Sequence, residues 1–435
     1  MVAKKPRRPK KGVRQKARGP SGLFDLDIVE LGHRGDGIAS VDGNAVYTPY
    51  ALPGDKIKSR VRNGRGEIVD LLESSPHRTE PVCPYFGTCG GCDLQHMKSQ
   101  SYLEWKRSQV EKALRQRGIE NPPVEFPIET QAGTRRRVTF TAERIKAGFI
   151  FGYSRRARHE LIEIQDCPLL TPDLRIAIAS LKSLSQELLP EDGRLSLLVT
   201  ETNNGLDLYA EYLDDLTVVF DYERQEAIAA QAQKMGCARL TVNDELLLGF
   251  ADPQVSLSGV NVSLPPGGFL QATLASERQL QNLVVRALGD ATSIVDLFCG
   301  SGTFSLHLAK GARVLAVDSS EDAVAALARA VQSDLALNKL TTNCRNLFDE
   351  PLLATELNGF QAVVFDPPRR GAAAQAQEVA KSEVPIVVAV SCDPGTFSRD
   401  AQILIEGGYR LDWVAPVDQF LWSHHIEIVA SFYRG

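Results

Sequence analysis

Long apolar runs are missing from this 435-residue chain. None approaches the roughly 18–20 residues that a bilayer-spanning helix needs. No apolar stretch follows the basic N-terminus, as one would in a secretory signal. The chain is therefore expected in the cytoplasm, with no role in a membrane and no obligate protein partner implied. Without export, its eight cysteines are not expected to pair as disulfides. Their spacing is uneven: Cys83, Cys89 and Cys92 cluster while the other five scatter, which suggests a ligand set plus individual roles. Internal repeats are absent as well. What remains, 43% hydrophobic and 24% charged residues, is the composition of a soluble globular protein, long enough for roughly two to four domains.

Acid is missing from residues 1–19, which carry nine Lys/Arg; the rest of the chain holds 40 basic against 54 acidic residues. Such an arm cannot bury enough apolar surface to fold, so residues 1–20 read as a disordered, polyanion-seeking tail. Nucleic acid is the expected partner, because attraction to phosphate is strong and independent of sequence.

Residues 21–75 alternate with period two between Gly-Asp-Gly and Asp-Gly-Asn turn signals, predicting a small, closed, mostly antiparallel barrel. The segment "GHRGDGIASVDGNAVYTPYALPGD" resembles the TRAM domain, an OB-like RNA-binding barrel. Residues 76–268 read as a mixed α+β central domain. It should hold a helix from about Ser99 to Arg117 and strands in "RRRVTFTAE", "GFIFGYS", "LSLLVTET" and "GLDLYAEY". From about Phe269 to the end, "SIVDLF", "RVLAVD", "QAVVFD" and "PIVVAVS" alternate with helical segments, which predicts an α/β, doubly wound, Rossmann-like parallel sheet. The helix after Asp318 is expected to start on Ser319 and to bury Val324, Leu327, Ala328, Val331 and Leu335.

A third glycine is missing from "DLFCGSGTF", which argues against a dinucleotide site. Gly300 and Gly302 still permit a tight turn with close backbone approach, and Asp318 ends the next strand where a carboxylate can accept from ribose hydroxyls. Together these resemble the S-adenosylmethionine pocket of class I methyltransferases. "VVFDPPRRG" presents Asp366 at the same carboxyl edge, with Arg369 where amino-methyltransferases carry an aromatic residue.

"PIVVAVSCDPGTFSRD" places Cys392 at a strand tip on that edge. A thiolate there suits an acceptor atom that is not itself nucleophilic, such as C5 of uracil: attack at C6 turns C5 into an enolate carbon able to accept a methyl group. A base must then remove the C5 proton. Glu427, opening the strand "IEIVASF", suits that task, since half-burial raises a carboxylate's proton affinity. Cys237, Cys299 and Cys344 read as packing cysteines.

In their order, "GGFLQ", "DLFCGSGTF", "FDPPRRG", "SCDPGTFSRD" and "HHIE" resemble the RNA (uracil-5-)-methyltransferase family, and the likeness covers nearly all of the chain after residue 20. It implies that Cys392 is the nucleophile, Glu427 the proton acceptor, and Gln271, Phe298, Thr303, Asp318, Asn346 and Asp366 the S-adenosylmethionine contacts. The chain departs from the family pattern in Thr273, Thr303, the short Asp318 and "FLWS" before His-x-Glu. The implied substrate is a uridine in structured RNA, ribosomal (23S) rather than transfer RNA, gripped by the arm, the barrel, "TRRRVTF" and Arg155, Arg156 and Arg158. Cys83, Cys89 and Cys92, with Cys167 as a fourth, could hold zinc or iron–sulfur on spacing alone; the resemblance implies a [4Fe–4S] cluster. The alternatives are the same chemistry on transfer RNA, or a catalytically silent RNA-binding or ribosome-assembly factor, which would leave Cys392 and Glu427 without work.

Overall fold

The computed structural model describes residues 19–146, 148–156, 158, 160–189, 191–214 and 218–435. The basic arm thus lies outside the described residues, Gly19 and Pro20 excepted. The chain divides between Arg78 and Thr79 into two compact units.

In the first unit, Gly22–Asp27, Glu30–Leu31, Gly37–Val41, Asn44–Thr48, Lys56–Arg62 and Arg65–Glu73 form one six-stranded sheet. Its two ends belong to one bent segment: Gly22–Asp27 pairs with Lys56–Arg62, and Glu30–Leu31 pairs with Gly37–Val41. The sheet therefore closes on itself. Alternation puts Leu26, Ile28, Ala39, Val46, Ala51, Ile57 and Val61 inside, each contributing about 1–3 kcal/mol by burial. The Asp-Gly signal is met by a two-residue hairpin turn in which Asp42 and Gly43 both take positive φ, 50° and 77°, as that turn requires.

The second unit carries two large sheets. One has seven strands in the order Leu161–Glu163, Gly148–Ser154, Arg137–Ile145, Gly193–Thr202, Gly205–Tyr212, Cys237–Val242, Glu245–Gly249. The helix Pro172–Leu188 buries Leu174, Ile178, Leu181 and Leu188 in its core. The other has eight strands in the order Leu340–Cys344, Arg313–Asp318, Ser293–Leu297, Ala362–Phe365, Ile386–Ser391, Glu427–Tyr433, Arg410–Asp418, Ile128–Glu129. Its first five strands run parallel and Glu427–Tyr433 runs antiparallel to Ile386–Ser391. Strand order reverses between Ser293–Leu297 and Ala362–Phe365, the switch point where open α/β sheets bind ligands. Separate apolar layers cover the two faces.

Three details differ from expectation. Ser320, not Ser319, caps the helix Glu321–Ser333, its side chain accepting from the Ala323 N–H. That helix stops before Leu335, which sits in a short 3-10 turn and is 89% exposed. The helix Ser99–Arg115 and the strand Ile128–Glu129, within the stretch read as central domain, belong to the eight-stranded layer instead: Val110, Leu114 and Val124 lie in its core.

Candidate functional site

The strand Ser293–Leu297 runs into a turn in which Phe298, Gly300 and Gly302 all take positive φ, 61°, 52° and 100°. At Gly302 a Cβ would lie 2.6 Å from Leu327 Cδ1, so only glycine lets the helix Glu321–Ser333 pack this close to the turn. Asp318 braces the turn from the neighbouring strand, one carboxylate oxygen accepting from the Gly300 N–H at 2.9 Å and the other from the Ser320 N–H at 2.8 Å. Asp296 lies beneath, wholly buried and hydrogen-bonded to the Ser305 hydroxyl; burial drives its carboxyl up to about 7. Phe298 packs against Phe348 at 5.2 Å between ring centroids, and the Arg370 guanidinium lies over the Phe348 ring. Asn346 spends its side chain on a local turn, Nδ2 donating to Asp349 at 2.6 Å and Oδ1 accepting from the Phe348 N–H. Thr303 offers its carbonyl to Gln281 Nε2 at 2.8 Å. Cys299 is buried in the turn and its thiol is pushed up, chiefly by that burial, in keeping with a packing role.

At the same edge Cys392 follows the strand Ile386–Ser391 and is half-buried. Asp393 caps the helix Pro394–Glu406, accepting from the Thr396 N–H at 2.9 Å, and Pro394 occupies its first turn. A helix N-terminus favours a thiolate, but burial outweighs it here. The thiol is pushed up to about 12 by desolvation first, then by the charges of Glu427 and Asp366, with Arg369 opposing. Thiol, carboxyls and guanidinium thus stand near one another at the carboxyl edge of neighbouring strands.

Glu427 is 3% exposed, and burial followed by the charge of Asp366 drives its carboxyl up to about 8. Asp366 is itself pushed up to about 7, by burial and the charge of Asp296. A row of amides joins the two. Gln271 Nε2 reaches Asp366 at 3.5 Å, and Gln419 Nε2 donates to Gln271 Oε1 at 2.8 Å and to Glu427 Oε2 at 2.7 Å. Gln271, expected among the cofactor contacts, is therefore also part of the carboxylate network.

The loop 419–426, leading to Glu427, is held from below by Lys106. This lysine is 1% exposed on the helix Ser99–Arg115, pairs with Asp418, and donates to the His425 carbonyl at 2.6 Å. Tyr102 hydroxyl donates to the same Asp418 at 3.0 Å. From the side, Asp93 accepts from the His424 ring at 2.7 Å and pairs with Arg156, while the Trp422 carbonyl accepts from the Asp93 and Leu94 N–H groups. The His425 ring lies 3.2 Å from Arg369 Nη2. Lys106, Asp418 and Gln419 escape sequence reasoning. One signal exists for Lys106, which falls on the apolar stripe of Leu103, Val110 and Leu114.

Cys83, Cys89, Cys92 and Cys167 line one cavity of about 260 Å³, together with Tyr85, Tyr153 and Arg135. Burial raises the thiols of Cys89, Cys92 and Cys167, and neighbouring cysteines raise them further. Yet among the described residues no group of three or more His, Cys, Asp or Glu side chains is arranged to hold a metal ion. The expected ligand set thus shares a cavity wall without converging on a point.

Several of the arginines expected to grip phosphate are engaged by partners within the chain, Arg136 and Arg156 by buried acids. Arg136 pairs with Glu277 at 2.5 Å, Arg137 donates to the Gly267 carbonyl at 3.2 Å, Arg155 pairs with Glu160, and Arg156 with Asp93.

The family described as tRNA (Uracil-5-)-methyltransferase matches residues 260–433. The chain is 40% identical to an RNA methyltransferase of Rhizobium meliloti (strain 1021), over 93% of this chain and 98% of that protein. It is 27% identical to the 23S rRNA (uracil(1939)-C(5))-methyltransferase of Aliivibrio fischeri, over 94% and 96%. In fold it is similar to the Pyrococcus abyssi tRNA (uracil-54, C5)-methyltransferase crystallised with S-adenosyl-L-homocysteine. The TM-score is 0.71 and the identity 24%, covering 94% of this chain and all of that one. No helix among the described residues is long and apolar enough to cross a membrane. A glycine turn at the sheet's switch point, a thiol beside two carboxyls on the same edge, and these relatives agree: the chain belongs to the RNA (uracil-5-)-methyltransferase family, enzymes that take their methyl group from S-adenosylmethionine.

Proposed function

We propose that the chain methylates C5 of a uridine in structured RNA through a covalent adduct between Cys392 and uracil C6. The observation that carries this is the meeting of Cys392, Glu427 and Asp366 at one sheet edge, where the Glu427 and Asp366 carboxyls act on the Cys392 thiol and Asp366 acts on Glu427. The Cys392 thiolate forms the S–C6 bond, and the C5=C6 pair moves into an enolate whose C5 takes the methyl group. Glu427 then accepts the C5 proton, the C5=C6 bond reforms, and the C6–S bond breaks with its electron pair returning to sulfur. Arg369 favours the thiolate, and a sulfonium bound beside it acts in the same direction. Gln271, Phe298, Thr303, Asp318, Asn346 and Asp366 serve as the cofactor-contact positions, and a buried nucleotide must leave its stack to reach them.

Incubation with RNA containing 5-fluorouridine and the methyl donor tests this. The C5 fluorine cannot leave as a proton, so wild-type protein should be trapped on RNA in a denaturation-resistant adduct, and Cys392→Ser should give none. An adduct that persists in Cys392→Ser would sink the assignment. Ribosomal RNA is the favoured substrate, supported by the 23S-specific relative; mass mapping of ribosomal and transfer RNA from a deletion strain decides between the two.

The cysteine-lined cavity suits a group larger than a single ion, and its four thiols are the donor set of a [4Fe–4S] cluster. Bound there, the cluster would supply a cross-link between the loop holding Cys83, Cys89 and Cys92 and the segment of Cys167. Protein purified without oxygen should contain iron and absorb visible light, and Cys92→Ser should lose both. Iron-free protein from such a preparation would end this assignment.

A further inference from the structure

Gln419 is the first residue of the eight-residue loop between the strands Arg410–Asp418 and Glu427–Tyr433. It is 3% exposed, and its Nε2 serves two acceptors at once, Glu427 Oε2 at 2.7 Å and Gln271 Oε1 at 2.8 Å. Its Oε1 is buried with no partner among the described residues. A buried carbonyl oxygen left unpaired costs about 1–3 kcal/mol, and this one belongs to the side chain touching the carboxylate that must gain a proton. An amide offers a donor face and an acceptor face of nearly equal shape. Glu427 as a carboxylate can only accept, so it needs the Nε2 face. Once protonated, it carries an O–H that needs an acceptor, and a half-turn of the Gln419 amide brings Oε1 to it.

We infer that Gln419 is a positioning residue for the proton-abstraction step, holding the Glu427 carboxylate toward the substrate and turning its amide over to accept from the acid that results. The inference rests on the reading of Glu427 as proton acceptor. In the step itself the C5–H pair reforms C5=C6, the proton passes to Glu427, and the C6–S pair returns to Cys392. Gln419 takes no proton; it satisfies Glu427 before and after. Gln271 can follow the turn by rotating its own amide, so that Nε2 donates to Gln419 and Oε1, now facing Asp366, accepts from that carboxyl in its protonated form. The ionisable groups around Glu427 are Asp366 beyond its strand, Cys392 at the neighbouring strand tip and Arg369; Lys106 faces Asp418, one residue before Gln419. The Gln419 hydrogen bond favours the ionised Glu427 and burial opposes it, so losing the amide displaces the titration of Glu427 upward.

The test compares wild type, Glu427→Gln and Gln419→Met on ordinary uridine RNA with the methyl donor, reading kcat, KM, the pH profile and the fraction of enzyme held on methylated RNA after denaturation. Glu427→Gln should accumulate the methylated adduct; if it does not, the base assignment fails, and this inference with it. Given that accumulation, Gln419→Met should also accumulate methylated adduct, with kcat lowered by about tenfold to a hundredfold and KM for RNA changed less than about twofold. The limb that rises with pH should move upward. A fall in kcat without trapped methylated RNA, an unmoved limb, or an unchanged kcat overturns the role. Should Gln419→Met not fold, Gln419→Asn withdraws the same amide by one methylene; the same measurements on it support or overturn the role in the same way.

Discussion

As the proposed proton acceptor, Glu427 must be ionised, and the fold works against that. With its carboxyl held up at about 8 by burial and by Asp366, single-turnover methylation should rise with pH through that region, approaching tenfold per pH unit on the acid side. A rate flat between pH 6 and 9 would show that another group takes the proton. Linkage gives a second outcome. Below the ordinary glutamate value near 4.3 both folded and unfolded chains are protonated, and nothing is lost. Above it the unfolded chain releases the proton while the folded one keeps it, so the folded state binds more protons and stability falls as pH rises toward 8. Glu427→Gln should therefore be more stable than wild type at pH 8, by about 1–2 kcal/mol, and indistinguishable at pH 4. Thermal denaturation at the two pH values reads this directly. At this scale, sequence shows placement better than partnership. Cys392 and Glu427 can be put at strand ends because each borders a local apolar run. Gln419 and Gln271 lie 148 positions apart and Lys106 and Asp418 lie 312 apart, and no local pattern reports such pairs.

Among the elements, the helix Ser99–Arg115 does the least expected work. Periodicity finds its apolar face through Leu103, Val110 and Leu114, but the same face carries Lys106 and Tyr102 to Asp418, just before the loop that leads to Glu427. A buried ammonium is tolerated only when paired. Desolvation holds Lys106 below its ordinary range and also pushes the Asp418 carboxyl up, each being the larger influence on its group. Lys106→Met should cost about 3–5 kcal/mol, because it strands a buried carboxylate. Lys106→Met with Asp418→Leu should recover most of that loss, and denaturant titration of the singles and the double gives the coupling. Recovered stability without recovered methylation would separate packing from loop position. Parallel strands such as Arg313–Asp318 and Ile386–Ser391 are legible as short apolar runs bounded by turns. The two-residue strand Ile128–Glu129 is not: it is too short for any period and exists only because Val417 and Asp418 offer it an edge.

Over the whole molecule, charge is divided against itself. Residues 20–435 hold 40 Lys/Arg against 54 Asp/Glu, and several arginines in the central segment are bound to internal acids. A surplus of acid repels a polyanion, so attraction to RNA has to come from local concentrations of positive charge. The densest in sequence is residues 1–19, nine basic and none acidic. Each phosphate neutralised releases a counterion, adding about 0.7 to 0.9 to the slope of log affinity against log salt. Deleting residues 1–19 should therefore weaken RNA binding most at low salt and flatten that slope by about three or more if four or more of the nine engage phosphate. The turnover rate at saturating RNA should stay within about twofold, since Cys392, Asp366, Gln419 and Glu427 all belong to the second compact unit. Binding measured from low to high salt, with and without the arm, decides it: parallel lines would mean that the arm touches no phosphate, and that recognition lies in surfaces whose net charge works against it.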